Sequence, residues 1–420
     1  MSDDRYDFTL FGATGFTGRE ALRYLVEKPP AALGRWAIAG RDRRKLEALL
    51  RDVAPGREDI AIVVADSTDP ESVDALVAGT RALIHLAGPY ARYGELYIRA
   101  CVDHGTHYVD LTGEIPWVRR MVDAYHERAA ERRVKLVFTA GYEALPFDLV
   151  TLLAAQTMRE RHQVGCRRVD IVAHATVPSG TGAGDMLSGG TVNTLREALR
   201  EGPEEGADDP AALIAGDAEA TAVRDRSPIV VAPWHDDELG GYIGPVFPAP
   251  FINPPIVLRS AALFAEAGAP YGDEFAYREG TLVGPSAGHR VAAEMLCLAI
   301  RGMSGVLAGG NWLRQGVLGV LDRVGPKSGE GPSEKALAET DYGLRARGLG
   351  PAGEEVFVSL RAKGHPGYRS TARMIAEAGL ALAFDQEQLP EIYGAVTPAT
   401  GVGVAVLGRL RDAGVEFEVE

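Results

Sequence analysis

Cysteine is scarce. There are three in 420 residues, Cys101, Cys166 and Cys297, far apart, odd in number and without metal-ligand spacing. That excludes a disulfide framework and a zinc site and leaves ordinary buried thiols in a reducing compartment. Positive charge is in deficit, with 44 Lys and Arg against 58 Asp and Glu and a net charge of -14, so the clustered cations that hold a nucleic-acid backbone are missing and no nucleic-acid partner is expected. His174, His235, His289 and His365 announce no metal site, and none is expected. Met1-Ser2-Asp3-Asp4-Arg5 is polar and acidic, unlike a signal peptide, so a cytoplasmic location is expected. No long apolar run is free of charge. The most apolar stretch, 287–320, is broken by Arg290, Glu294, Arg301 and Arg314, which argues for buried or amphipathic helices rather than a membrane span. Peripheral membrane contact through an apolar face stays open.

What is present is an ordinary globular composition, 46% hydrophobic and 24% charged, in a chain too long for one core, so two domains are expected. Residues 7–140 alternate short apolar runs with helical patterns. The strand candidates are Asp7–Gly12, Trp36–Gly40, Ile60–Ala65, Ala82–Ala87, His107–Asp110 and Lys135–Ala140. Between them lie helix candidates at Thr17–Glu27, Arg43–Val53, Glu71–Val77, Gly94–Asp103 and Pro116–Arg132. This is the pattern of a parallel sheet built from repeated strand–helix units. From about residue 148 the character changes: Arg168–Val177 alternates as a half-exposed strand and begins a second sheet. A further strand is expected at Glu354–Ala362, and loops at 202–210, 240–255 and 325–333.

The most informative segment runs from Phe8 to Leu22, where a strand enters a glycine turn that opens a helix. Its glycines are Gly12, Gly15 and Gly18. The first permits the tight turn, the second lets backbone approach a pyrophosphate, and the third lets the helix pack closely on the sheet. The helix N-terminus then offers amides and positive dipole to phosphate. The GxxGxxG spacing departs from the strict GxGxxG form, but its place at the first strand–helix junction predicts a Rossmann-type dinucleotide domain over residues 1–147. After the second strand comes Arg41 where an acid would bond a ribose hydroxyl, so the expected cofactor is NADPH. A solvated helix start with clustered cations is the plainer alternative. Asp66, Ser67, Ala87, Gly88 and Pro89 follow the third and fourth strands and qualify as cofactor contacts by location. Asp66 reads equally well as a cap for the helix at 70–77.

Taken in order, GATGFTG, AGR, HLAGPYARYGE, YVDLTGE and AGYEALPFDL resemble the N-terminal half of saccharopine dehydrogenase-like reductases. Ser188-Gly-Gly-Thr191, Gly331-Pro-Ser333-Glu, His365-Pro-Gly-Tyr368 with Thr371-Ala-Arg-Met374, and Thr397-Pro-Ala-Thr400 resemble the subgroup of trans-acting enoyl reductases. The resemblance implies a Rossmann domain, a mixed α/β substrate and dimerisation domain over 148–370, and a C-terminal helical segment, 371–420, returning to the first domain. It also implies NADPH held by Gly12, Thr14, Gly15, Phe16, Thr17, Gly18, Arg41, Gly88 and Pro89.

Hydride transfer is cofactor chemistry, so the protein has to position a double bond, exclude water and supply a proton. Tyr90 and Tyr142 are the proton-donor candidates, each a polar atom on an apolar body at the ligand edge, and either can equally be wall packing. Glu114 reads as a cap for the helix near Pro116, and Ser188–Thr191 as a helix start in the second domain. The substrate half carries no evident cationic clamp and is rich in Pro, Gly, Ala, Leu and Phe. An apolar acyl or enoyl substrate therefore fits better than saccharopine. An imine reductase, or a non-catalytic NADPH-binding protein, are the competing readings, and a homodimer is left open.

Overall fold

The computed structural model of the chain describes residues 4–181, 195–196, 199–200, 202, 204–247, 249–324 and 331–420. It contains two compact units. The first gathers the chain up to Leu145 with His365–Gly414, and the second takes Pro146–Lys327, Gly331–Gly364 and Val415–Glu420.

The first unit alternates strictly: β1 (Tyr6–Phe11), α1 (Phe16–Glu27), β2 (Trp36–Gly40), α2 (Arg43–Val53), β3 (Ile60–Val64), α3 (Pro70–Ala78), β4 (Thr80–His85), α4 (Tyr90–His104), β5 (His107–Asp110), α5 (Ile115–Glu131) and β6 (Lys135–Val137). Local chemistry sets the boundaries. Asp42 caps α2 by accepting from the Lys45 amide, Asp69 caps α3 ahead of Pro70, and α4 stops at Gly105 in the left-handed conformation (φ 71°). A seventh strand, β13 (Gly394–Val396), completes the sheet in the order β13-β6-β5-β4-β1-β2-β3, with every pairing parallel. Helices cover both faces, and Phe8, Leu10, Trp36, Ile38, Leu83 and Val109 are fully buried. The strand order reverses between β1 and β4, where a ligand crevice forms at the carboxyl ends.

The last fifty residues depart from the expected helical segment. After the Thr371–Phe384 helix, the chain returns as β13 along β6. Buried Lys135 of β6 anchors it there, its ammonium donating to the carbonyls of Pro390 (2.5 Å) and Ile392 (2.7 Å). A three-residue strand is too short to leave an alternation in sequence. The final strand, β14 (Val415–Val419), joins the sheet of the second unit instead.

The second unit is built on a sheet ordered β14-β12-β11-β7-β10-β9-β8. Its strands are β7 (Arg168–Thr176), β8 (Trp234–Asp236), β9 (Gly241–Gly244), β10 (Ala276–Gly284), β11 (Asp341–Leu349) and β12 (Glu355–Lys363), with β14 at one edge. Central β7 runs parallel to β10 and antiparallel to β11, so the sheet is mixed. β7 is exposed at its ends rather than in alternation: residues 169–173 are all buried, whereas Arg168 and residues 174–176 are exposed. Asp170 is the charged residue within that buried run. Its carboxylate is matched by a two-pronged contact from Arg278 (2.8 and 2.9 Å), which lets a charge sit at a buried position. β9 also falls inside 240–255, expected as loop. The Ser188–Thr191 motif lies outside the described residues.

The Thr371–Phe384 helix packs on the first sheet by close approach. A Cβ on Gly379 would lie 2.3 Å from Cγ1 of Ile84 in β4. Gly302, in the Ala287–Ala308 helix, has nothing within 4 Å of that position. Gly302→Ala is therefore expected to stabilise the protein by up to about 1 kcal/mol through helix propensity. Gly379→Ala should destabilise it by about 1–3 kcal/mol through overpacking. Denaturant midpoints of the two variants check the opposite signs, and equal shifts would contradict the packing.

Candidate functional site

The three glycines of the first turn have separate geometries. Gly12 sits at φ 86°, and a Cβ on it would meet the backbone of Leu86 and Ala87 at 2.9 and 3.0 Å, where the chain leaves β4. A Cβ on Gly18 would lie 2.2 Å from the Gly12 carbonyl oxygen, so α1 can approach the turn this closely only without a side chain there. Gly15 faces outward, with only the Gly12 oxygen near its Cβ position, at 3.3 Å. Thr14 and Gly15 are exposed, and Phe16 and Thr17 half-buried. Gly15 is the N-cap of α1 and brings no side-chain acceptor, and the first turn holds no acid. The amides of Phe16, Thr17 and Gly18 therefore open α1 with positive dipole and no side-chain cap, which is the construction that receives a phosphate. These features fit a bound dinucleotide.

At the tip of β2, Arg41 is exposed. Asp42 beside it is occupied in capping α2. Asp66, after β3, accepts from the Thr68 amide (2.9 Å) and hydroxyl (2.8 Å). Those bonds, helped by the positive charge of Arg41, hold its carboxyl below the usual range. Asp66 thus stabilises its own turn within the field of Arg41, and the cap of α3 is Asp69. Ser67 and Tyr97 share a hydroxyl hydrogen bond of 3.0 Å. Ala87 and Pro89 are half-buried and Gly88 exposed, at the mouth between β4 and α4.

The two tyrosine candidates part company here. Tyr90 is 4% exposed, and its hydroxyl donates to the His85 carbonyl at 2.9 Å. Its ring packs against His85 and Trp117. Burial, with Asp110 nearby, holds its phenol protonated far above the usual range. The start of α4 faces the ligand edge, but its first side chain turns into the core, so Tyr90 is a wall and not an exposed donor. Tyr142 lies half-buried in the return loop after β6, and the Thr371 hydroxyl accepts its amide at 2.9 Å. Thr371 sits beside that loop because Gly141 leaves room for it, a Cβ there meeting the Thr371 methyl at 3.1 Å. On the other side, Tyr368 sets its ring edge-on to Phe16 at 5.3 Å, and Arg369 bonds Glu20 of α1 at 2.9 Å. The segment from His365 thus lines the same edge as the glycine turn.

Two carboxylates at this edge do structural work that spacing did not reveal. Glu114 is the N-cap of α5, where its carbonyl accepts the Val118 amide (3.0 Å), but its carboxylate does not cap that helix. It accepts from the amides of Tyr90 (2.9 Å) and Ala91 (2.7 Å), capping α4 across the sheet edge. Asp110, fully buried at the end of β5, accepts from the Thr112 and Thr139 amides (3.2 and 3.0 Å) and the Tyr108 hydroxyl (2.9 Å). It thereby fastens the loops after β5 and β6. Desolvation outweighs those bonds and pushes its carboxyl up to about 7. Beside it, buried His85 is pushed down to about 3. A histidine, a tyrosine and an aspartate at the inner ends of buried strands were the available signal for this cluster.

Because the folded Asp110 binds a proton more tightly than the unfolded one (usual value about 3.9), its contribution to stability is complete below about pH 4 and is lost as pH rises through 7. His85 has the opposite sign: it stays neutral when folded, so its contribution is present above about 6.5 and lost as pH falls toward 3. Asp110→Asn removes the first and keeps the second. The variant is expected to gain on the wild type by about 1.4 kcal/mol per unit between about pH 4 and 7 and to hold that gain above 7. Urea unfolding across pH measures the difference. A difference that does not change with pH would show that Asp110 titrates normally.

Comparisons with known proteins agree with this geometry. Residues 8–137 match the family described as the saccharopine dehydrogenase NADP binding domain. A trans-acting enoyl reductase of Mycobacterium bovis is 32% identical, the alignment covering 99% of this chain and 97% of that protein. Its counterpart in Mycobacterium leprae is 31% identical over 99% of this chain and 98% of its own. Among solved structures, apo saccharopine dehydrogenase (L-Glu forming) from Saccharomyces cerevisiae superposes with a TM-score of 0.50 at 12% identity. The match covers 98% of this chain and 99% of that one, a likeness of fold.

Proposed function

This chain belongs to the saccharopine dehydrogenase-like family of trans-acting enoyl reductases, and from that membership we propose that it is an NADPH-dependent reductase of a C=C bond in an apolar enoyl or acyl-type substrate. The observation that carries the reading is the side-chain-free glycine turn at the switch point, with Arg41 at the neighbouring strand tip. Bound there, the reduced cofactor supplies a hydride equivalent to one end of the double bond. The chain does the rest. The amides of Phe16, Thr17 and Gly18 bind pyrophosphate, and Gly15 keeps the approach open. Arg41 meets the 2′-phosphate with a charge-assisted bond. Tyr142 supplies the proton to the other end, and Thr371 holds its backbone in place.

Cofactor choice tests the first half. NADPH should bind at least ~10-fold more tightly than NADH, a difference one charge-assisted phosphate contact can supply. Arg41→Ala should erase most of that preference by weakening NADPH alone. Equal loss of both cofactors would assign Arg41 a structural role.

Tyr142→Phe tests the second half. With an enoyl thioester as substrate, removing the phenol should lower kcat by about 10²-fold while KM stays near the wild-type value. Unchanged kcat would remove Tyr142 from proton delivery. Oxidation of saccharopine without any enoyl turnover would overturn the substrate class.

A further inference from the structure

In the second unit, the Ala287–Ala308 helix and the Asn311–Val324 helix hold five of the eleven exposed large hydrophobic side chains among the described residues. They are Val291, Met295, Leu298, Trp312 and Val320, between 55% and 79% exposed, with Trp312 the most open. Soluble proteins scatter such residues singly, and a concentration in thirty residues marks an interaction surface.

The first helix has three distinct sides. Ala293, Cys297 and Ile300 are buried, and a Cβ on Gly244 of β9 would meet Leu296 at 3.0 Å, so that side is packed on the sheet. Val291, Met295 and Leu298, at helical spacings of four and three, form an outward apolar side. Arg290, Glu294 and Arg301 fall on one stripe along its margin, Arg290 bonding Glu294 at 3.1 Å. After the Gly309-Gly310 turn, Arg314 ties the second helix to the first by donating to the Gly309 carbonyl at 2.7 Å. The second helix then exposes Trp312, Val320 and Arg323.

Charge identifies what this surface fits. Residues 287–324 contain four arginines (Arg290, Arg301, Arg314, Arg323) against Glu294 and Asp322, a net +2 in a chain whose net charge is -14. A second copy would bring like charge against like. An anionic headgroup layer complements the arginines, while the apolar side chains and an exposed tryptophan suit the boundary just beneath it. The first helix is long and apolar enough to cross a bilayer by length and composition. However, one of its sides is committed to β9 and a charged stripe runs along another, so the membrane plane is its place. We propose that this helix pair docks the enzyme onto an anionic lipid surface.

Flotation with vesicles of phosphatidylcholine and phosphatidylglycerol (7:3), against phosphatidylcholine alone, tests it. The full-length protein should float with the anionic vesicles and bind at least ~5-fold less to the neutral ones, as expected for one arginine at a charged surface. Brominated lipids should quench Trp312 fluorescence. Leu298→Ser with Trp312→Ala should abolish flotation while NADPH affinity, set in the first unit, stays at the wild-type value. Arg301→Gln should weaken binding to anionic vesicles roughly fivefold. Absence of flotation with either vesicle would overturn the proposal. So would a wild-type dimer that the Ser/Ala variant converts to monomer without any lipid binding, because the second copy would then be the occupant.

Discussion

Gly18 lies so close to the Gly12 carbonyl that a Cβ would come within 2.2 Å of it, and the geometry of the cofactor edge follows from that contact. With no side chain between them, α1 starts immediately beyond β1 and directs its first-turn amides at the crevice where the strand order reverses. Gly12 in turn abuts the chain leaving β4, so one turn sets the mutual position of the two strands that flank the crevice. A side chain at either glycine would move the helix and withdraw the amides together.

The charged groups around that turn divide by where their partners are. Asp110 and Glu114 accept from backbone amides of other loops, so their carboxyl groups hold the edge in shape. Asp42, Asp66 and Asp69 do the same for their own turns and helices. Arg41 stands exposed at the end of β2. The edge thus has its acids bound to backbone and a cationic, exposed strand tip.

The C-terminal return closes the same edge. Its helix approaches β4 through Gly379, its strand is fastened to β6 by Lys135, and its leading turn places Tyr368 against Phe16 and Thr371 against Tyr142. Residues more than 200 positions from the glycine turn therefore help to shape it. The buried, neutral His85 and the protonation-prone Asp110 lie beneath these loops, so the acid–base properties of the unit's interior and the order of its loops are linked.

Reading the chain alone determined the alternation of β1 to β6 with α1 to α5, because each apolar run and helical pattern there is local in sequence and Asp42 and Asp69 stand next to the helices they cap. It also located the glycine turn between β1 and α1, since a close approach of backbone requires glycine at set offsets, and the exposed cation Arg41, which is adjacent to its strand. Only the tertiary structure decided the rest. Tyr90 turned inward because a helix start fixes its Cα at the edge while packing chooses the side chain's direction. The Glu114 carboxylate caps α4 rather than the helix it precedes because the two loop ends meet across the sheet, twenty-four residues apart. Asp170 can sit inside the buried run of β7 because its compensating Arg278 arrives from a strand 108 residues later. The three-residue β13 carried no period, and its place was decided by the carbonyls that Lys135 needed once it was buried.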